Sequence, residues 1–337
     1  MQTSFNQKCL FACLVIFVNL RPKNQYKAKS NFFHGSFIKF VLAIIAICSF
    51  SLAFNYDYIS SILLGKFHPI PDKKCLQQFY KDTPPYLIKE SLTKHTYPLC
   101  FNGFNVMYSG VAKTPLWVAE SLTPQRLSKS APREDNFHEE LRIPSNHRST
   151  ISDYRGSGHI RWRVAPNADM SNEEAKSDSF SLANIIPVAN LDVLTNLEYV
   201  IRGIVIRNKV DLYVVSGPIF SSRKLKTIGK GVIIPNAVFK AIYIPKTGTI
   251  GAYYIPNNDS SDVKIVSVCF LEELLNINLF PQLTEEQKRN TYNLPLSSKD
   301  LNLNKEIEYS YWDAESQCEI SVSDKDIDML QNRFRFE

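Results

Sequence analysis

The sequence predicts an α+β fold in which helices pack on a mixed, largely antiparallel sheet. Between about residues 75 and 280, short runs rich in β-branched and aromatic residues alternate with Gly, Pro, Asn and Asp, which is the pattern of strands and turns. One amphipathic segment interrupts this series in its middle instead of following every strand, which argues against a doubly wound parallel sheet. The predicted strands are 104–108, 116–119, 211–216, 231–234, 241–244, 251–255 and 264–269.

Three helices are predicted around these strands. The main one covers 191–207, where apolar residues recur at helical spacing. A second covers 267–275, and Thr284 with Glu285, after a proline, predicts the start of a third. The polar stretch 128–148 predicts a surface loop. The apolar residues that share one face of the main helix are Leu194, Leu197, Ile201 and Ile204.

The N-terminal part predicts export or membrane attachment. Residues 40–54 carry no charge and follow Lys39 and several upstream basic residues, an order that is typical of a secretory signal or a signal anchor. The run is shorter than the roughly 20 residues that span a bilayer, and a pair of buried helices is the alternative. We therefore divide the chain into a signal or anchor region (1–70), a working domain (71–290) and a polar C-terminal extension (291–337). We expect a periplasmic, extracellular or membrane-anchored protein.

Charge and cysteine content set only loose limits on function. The formal charge of +6 suits an acidic partner, although a mildly basic soluble surface explains it equally well. None of the seven cysteines lies in a CxxC pair or a cluster with zinc-ligand spacing. Cys75 and Cys100 flank the start of the working domain. A disulfide between them is expected only if this region is exported.

The residues that carry chemistry are concentrated in 154–202. Arginine forks clamp phosphate, and oxygen ligands suit a hard cation such as magnesium, so their combination favours a phosphodiester site. A solvated basic face with a capping asparagine is the alternative, and spacing alone favours it. The arginines are Arg155, Arg161, Arg163 and Arg202, and the oxygen ligands are Asn184, Asn190 and Glu198.

This segment resembles the DNA/RNA non-specific endonuclease family, whose members contain a ββα-metal element. The matching motifs are SGHIRWRVAPNAD at 157–169 and SFSLANIIP at 179–187. Flanking similarity at 99–109, 115–123, 212–220 and 228–243 extends the resemblance to about 75–285. The resemblance implies a ββα-metal element at 158–207, magnesium as cofactor, and hydrolysis of DNA or RNA without sequence preference.

The family's DRGH motif is degenerate in this chain. The aligned residues are Ile160, Arg161, Trp162 and Arg163, so an arginine stands where the family has its general-base histidine. A guanidinium stays protonated at physiological pH and cannot accept a proton from water. We expect weak activity or none. The alternative functions are a magnesium-dependent endonuclease, with another histidine such as His147 or His159 as its base, and a catalytically dead module that binds nucleic acid or a protein.

The helical half of the family site is better preserved. Direct spacing would put the metal-binding asparagine at Val193, whereas a three-residue deletion puts it at Asn190. We prefer Asn190, because it then precedes Glu198 by eight residues and Arg202 follows four later, as on the family helix. By resemblance, Asn190 would hold magnesium and Glu198 would order a metal-bound water. Arg161 and Arg202 would bind phosphate and stabilise the transition state.

The export prediction is tested with residues 1–70 fused to a reporter that works only outside the cytoplasm. We expect activity, because the basic-then-apolar order is what export signals require. A matched fusion with two residues of the 40–54 run changed to aspartate should be silent. A silent natural fusion that is expressed normally would contradict the prediction.

Overall fold

The computed structural model describes residues 75–129, 136–301, 306–318 and 322–335, and these belong to one compact unit, His68–Glu337. The predicted signal or anchor run at 40–54 lies outside the described residues. Within the described ranges, no helix is both long enough and apolar enough to span a bilayer.

The described part contains short helices, one long helix and fifteen strands. The strands are β1 (Tyr86–Leu87), β2 (Thr96–Phe101), β3 (Phe104–Ser109), β4 (Thr114–Leu122), β5 (Ile160–Arg163), β6 (Ile185–Val188), β7 (Leu212–Ile219), β8 (Thr227–Ile228), β9 (Val232–Ile233), β10 (Ala237–Ile244), β11 (Thr249–Pro256), β12 (Lys264–Val266), β13 (Ile277–Asn278), β14 (Asn290–Tyr292) and β15 (Tyr309–Trp312). The α-helices are α1 (Glu90–Thr93), α2 (Pro124–Leu127), α3 (Ile151–Tyr154), α4 (Glu173–Ser179), α5 (Asp192–Asn208), α6 (Val268–Leu275), α7 (Glu285–Arg289) and α8 (Asp324–Arg335).

A seven-stranded sheet forms the centre of the unit, in the order β12-β11-β10-β7-β4-β3-β2. Every neighbouring pair in it is antiparallel. Small residues lie opposite one another at its middle, where Val215 pairs with Ala119 on one side and with Ala241 on the other. The α+β fold class predicted from the sequence is confirmed.

Each face of the sheet carries its own apolar core, because successive side chains of a strand point to opposite faces. On β4, Val118 and Leu122 belong to one core, and Trp117 and Ala119 belong to the other. The sheet is therefore the middle layer of the unit. The helix that bears the candidate site residues packs on the Val118 face.

Helix α5 covers the first face with the apolar residues that its periodicity predicted. All four of the predicted core residues are buried, and Lys209 ends the helix in the left-handed conformation. Gly203 lets Leu301 pack closely on this helix: a Cβ at position 203 would lie 2.3 Å from Cδ1 of Leu301, whose side chain would have to move. Strands β5 and β6 pair just before α5 in the chain, so 158–207 forms the predicted strand-strand-helix element.

The C-terminal segment packs on the second face. Phe334 of α8 is fully buried, and its ring lies 5.3 Å from that of Phe79 and 5.7 Å from that of Trp117. A disulfide joins Cys269 of α6 to Cys318, and this pairing was not predicted. Residues beyond 291 thus include buried and cross-linked positions, although their composition is polar.

The other differences from the predicted elements have local causes. The strand predicted at 264–269 ends at Val266, because the Ser267 hydroxyl accepts a hydrogen bond from the Phe270 amide and starts α6 there. Thr284 caps α7 with a capping box, as expected. The Cys75–Cys100 disulfide, left open by the sequence, is formed.

The Cys269–Cys318 cross-link predicts a measurable stability loss in Cys318→Ser. The bond closes a loop with a sequence separation of 49, so its removal should lower the free energy of unfolding by about 2–4 kcal/mol. The measurement is denaturant unfolding of both proteins without reductant. With reductant present the difference between them should vanish, and equal stability under oxidising conditions would contradict the prediction.

Candidate functional site

A cavity of about 450 Å³ lies between β5, the loop that follows it and α5. Five of its lining residues carry a permanent positive charge and one carries a carboxylate, so the cavity favours anions. The cations are Lys129, Arg161, Arg163, Lys176 and Arg202, and the carboxylate belongs to Glu198. Four of these six residues were predicted from the sequence; Lys129 and Lys176 were not, because they lie outside the motif positions.

Strand β5 places two of the arginines side by side. It pairs with β6 in antiparallel register, with Trp162 opposite Ile186. Alternation along the strand buries Trp162 and leaves Arg161 and Arg163 partly exposed on the other face. The guanidinium carbon of Arg161 lies 4.0 Å from the ring centre of Phe137, and that of Arg163 lies 4.6 Å from the ring centre of Phe180. Cation–π contact therefore supports both arginines.

Trp162 takes up the interior of the site. Its side chain is 1% exposed, and its indole Nε1 donates a 2.7 Å hydrogen bond to Oε1 of Glu198. Lys240 lies on β10, and its ammonium is 5.1 Å from the centre of the Trp162 ring. The same ammonium donates a hydrogen bond to the carbonyl of Val164. The family motif has glycine at the Trp162 position, and glycine could make neither contact. The tryptophan therefore fixes one oxygen of the carboxylate that the resemblance assigns to a metal-bound water.

Burial raises the pKa of Glu198, and Asp169 adds to this effect, while Lys240, the Trp162 N–H and Arg202 oppose it. A carboxylate in this setting is a poor ligand for a cation, because burial disfavours its charged form and the Trp162 N–H already donates to one of its oxygens. The one carboxylate that lines the cavity is therefore poorly suited to bind a cation.

Arg202 is fixed by an ion pair beneath the cavity. Its Nη1 lies 2.9 Å from Oδ1 of Asp169, which is almost fully buried. Arg126 donates through Nε to the Asp169 carbonyl and lies 3.1 Å from Glu120. The pair with Asp169 holds the guanidinium of Arg202 at the cavity wall.

Burial raises the pKa of Glu120 to about 8, with a further contribution from Asp169 and opposition from Arg126 and Lys240. Glu120, Arg126 and Lys240 were not identified from the sequence, because they lie on other elements far along the chain. The sequence contains one signal for Lys240: it is the only charged residue in the apolar run of β10. A buried lysine rarely lacks partners, so its position indicates a buried polar contact.

Asn190 is engaged elsewhere. Its Oδ1 accepts the Asp192 amide at the start of α5, its Nδ2 donates to the Ser260 carbonyl at 3.4 Å, and it is not among the residues that line the cavity. Asn184 is buried and bonded to backbone groups of Ala165. Val193 is half-buried against the core.

Neither alternative histidine reaches the cavity. The Nδ1 of His147 is hydrogen-bonded to the Tyr97 hydroxyl, and its ring lies 4.4 Å from that of His95. The Nδ1 of His159 is 3.0 Å from the Ser157 carbonyl, and His159 lines a different cavity. Neither histidine can therefore serve as a base at the Arg163 position in this arrangement.

The charges that line the cavity disfavour a divalent cation. The described residues contain no group of three or more His, Cys, Asp or Glu side chains positioned to hold a metal. More decisively, the single carboxylate among the lining residues is bonded to Trp162, and five cations line the same cavity. Coulomb repulsion from fixed cations opposes a divalent ion and favours a phosphate.

Comparison with known proteins points to one family. The model of the DNA/RNA non-specific endonuclease family matches residues 84–286. Human mitochondrial endonuclease G is 31% identical over 183 residues, which are 49% of this chain and 59% of that protein. The mitochondrial nuclease of Saccharomyces cerevisiae is 27% identical over 214 residues, 54% of this chain and 65% of that protein. The chain thus spans about three fifths of the length of these relatives.

The fold has a match among solved structures. A chain from the crystal structure of the EndoG/EndoGI complex, which addresses the mechanism of EndoG inhibition, superimposes with a TM-score of 0.53 at 21% identity. The match covers 59% of this chain and 94% of that chain, and it shows a shared fold.

The raised pKa of Glu120 predicts how stability depends on pH. Between its unfolded pKa near 4.5 and the folded pKa of about 8, the folded state binds the extra proton, so stability falls as pH rises through this window. Glu120→Gln removes the titrating carboxyl and with it this pH dependence. The free energy of unfolding of the variant, relative to that of the natural chain, should therefore rise with pH by at most about 1.4 kcal/mol per pH unit. Denaturant unfolding from pH 5 to 8 measures this difference. Glu315→Gln, at an exposed position, is the control, and a pH-independent difference for Glu120→Gln would contradict the assignment.

Proposed function

This chain belongs to the DNA/RNA non-specific endonuclease family, and we propose that it binds nucleic acid in the arginine-lined cavity and hydrolyses it weakly or not at all. The observation that carries the proposal is the pair of residues on β5: Arg163 replaces the expected base, and Trp162 holds Glu198. The two substitutions act on different requirements of hydrolysis, so together they disable it more firmly than either alone.

Binding follows from charge and geometry. Arg161 and Arg163 face the cavity from the strand side, and Arg202 faces it from α5. Guanidinium groups on two sides suit a phosphodiester, which offers oxygens in several directions. Phosphate neutralisation by fixed cations releases counterions and supplies most of the affinity in binding without sequence preference. DNA and RNA share this backbone chemistry, so the proposal covers both.

Hydrolysis is opposed because the position of the family's general base holds a group that cannot take a proton from water. The guanidinium of Arg163 is permanently protonated. Glu198 is the only carboxylate among the lining residues, and the Trp162 N–H already donates to it. Positioned base catalysis contributes about 10²–10⁴-fold, so its loss alone lowers the rate to a low residual value.

Magnesium has no part in the proposed binding. The family is metal-dependent, and its pattern would place the ion at Asn190. In this chain the Asn190 oxygen accepts the Asp192 amide, and the cavity is cationic. We therefore propose that fixed arginines replace the ion as the partner of the phosphate. EDTA should leave nucleic-acid binding unchanged.

We propose in addition that the domain works outside the cytoplasm. The two disulfides, Cys75–Cys100 and Cys269–Cys318, support this, because such bonds persist in oxidising compartments. They agree with the basic-then-apolar order predicted for export in the N-terminal region. An oxidising environment would then be a condition for the stability of the domain.

The proposed function is tested by plasmid nicking with magnesium and by fluorescence anisotropy with a labelled oligonucleotide. The natural chain should bind without nicking. Arg163→Gln should weaken binding several-fold and lower the slope of log affinity against log salt by about one, because one phosphate contact is lost. Arg223→Gln, at an exposed position outside the cavity, should change neither quantity. Strong nicking that Asn190→Ala abolishes and Arg163→Ala does not would overturn the proposal.

A restoration variant provides the second arm of this test. Ile160→Asp, Trp162→Gly and Arg163→His together should recover magnesium-dependent nicking if Asn190, Glu198 and Arg202 can form the metal half of the site. Emptying the buried Trp162 position should cost about 3–5 kcal/mol of stability, so circular dichroism must first show that the variant is folded. Arg163→His alone should stay inactive, because Trp162 still holds Glu198.

A further inference from the structure

A second cavity lies beside the arginine-lined one, and we infer that it holds an unpaired nucleobase, so that the chain prefers single-stranded to double-stranded nucleic acid. This inference rests on the proposed function, since the phosphate bound in the first cavity would position the base. The second cavity has a volume of about 520 Å³, within the range of small-ligand sites.

Arg161 belongs to both cavities and joins them. Its guanidinium lies over Phe137, the ring of Phe137 meets that of Phe180 edge-on at 5.1 Å, and Arg163 lies over Phe180. Cation, aromatic, aromatic and cation thus form one continuous row. A nucleotide whose phosphate contacts Arg161 and Arg163 therefore has its attached nucleoside beside the second cavity.

The walls of the second cavity suit the faces of a base. Phe137 and Tyr154 supply aromatic surface, and Ile151 and Ile160 supply aliphatic surface. Base stacking on aromatic side chains and on guanidinium planes adds affinity in single-strand recognition and tolerates any base. The second cavity thus combines aromatic rings, aliphatic surface and the guanidinium plane of Arg161. This combination suits the stacking of an unpaired base.

Ile160 changes the chemistry of the cavity wall, because the family motif has aspartate at its position. A carboxylate beside Arg161 would repel the incoming phosphate and would be poorly solvated against a base. Isoleucine removes the charge and adds apolar surface, and its side chain is 43% exposed at the cavity. The substitution that weakens the hydrolytic motif thus improves the wall of the second cavity.

His159 gives this cavity a polar edge. Its Nδ1 lies 3.0 Å from the Ser157 carbonyl, to which a neutral ring donates. In that tautomer Nε2 carries the lone pair and can accept a hydrogen bond from a base amino group. Arg155, which is exposed, adds a positive charge to the same rim. These groups hold the edge of a base without selecting one base strictly.

A duplex cannot use the second cavity. Its bases are stacked and paired, whereas unpaired bases can turn out and stack on a protein. Double-stranded probes should therefore obtain only the phosphate contacts of the first cavity. The expected preference is about tenfold for a single strand over an abasic strand of equal length, because one stacked base contributes on that order.

The experiment measures anisotropy with three labelled 20-mers: a single strand, the same strand with abasic sites throughout its centre, and the duplex. The natural chain should bind the single strand about tenfold more tightly than the abasic strand, and the duplex should also bind more weakly than the single strand. Ile160→Asn should reduce single-strand affinity to the abasic level and leave abasic affinity unchanged. Leu141→Asn, at a position exposed by 75% that lines neither cavity, is the matched control.

The outcomes separate the two proposals. Equal binding of single and abasic strands, with both weakened by Arg163→Gln, would overturn the base site and leave phosphate binding in place. A duplex that binds more tightly than the single strand would also overturn it. No binding of any probe would overturn both proposals. Thermal unfolding of Ile160→Asn establishes that a loss of preference is not a loss of folding, and His159→Ala provides a second, milder reduction if that variant is unstable.

Discussion

The hydrogen bond from Trp162 to Glu198 is the interaction on which the rest of the site depends. Because side chains alternate along β5, a buried tryptophan at this position directs its two arginine neighbours to the opposite face. The same ring lies against Lys240 on the central sheet, so it connects the sheet, β5 and α5. A glycine at this position would remove the indole hydrogen bond to Glu198 and leave the space beside Lys240 empty.

Buried charges explain why these elements keep one arrangement. Asp169 pairs with Arg202 through its carboxylate and accepts from Arg126 through its carbonyl, and Arg126 lies beside Glu120, so charged and polar groups from β4, α2, α5 and the segment after β5 meet near the cavity. Such buried pairs add little net stability, because desolvation offsets their attraction, yet removing one partner leaves an uncompensated charge. Their effect is to fix geometry. The cavity therefore presents its cations in set positions without first ordering them when a ligand binds.

The sequence could predict what depends on local pattern. Strand runs, the apolar face of α5 and the Thr284 cap are properties of neighbouring residues, and the motif at 157–169 identified the arginines of the site. The sequence could not predict that Lys240 and Glu120 lie near the arginines of the site, because these contacts depend on the order of the strands in the sheet. Nor could the sequence show that the Asn190 oxygen accepts the Asp192 amide at the start of α5, since an asparagine before a helix can accept a backbone amide or bind a metal with the same spacing. Pairing Cys269 with Cys318 likewise required their distance in space.

The departures from the family motif are coupled through space, which makes them hard to reverse one at a time. Arg163 adds a charge that Phe180 supports, Trp162 occupies Glu198, and Ile160 removes a carboxylate from beside Arg161. Under the proposed function all three changes disfavour a cation, while Arg163 adds a phosphate contact and Ile160 adds surface for a base. Residues in such contact do not act additively. A histidine returned to position 163 alone would face a carboxylate still bound to Trp162, so the surroundings that keep the cavity cationic would also keep a single reversion without effect.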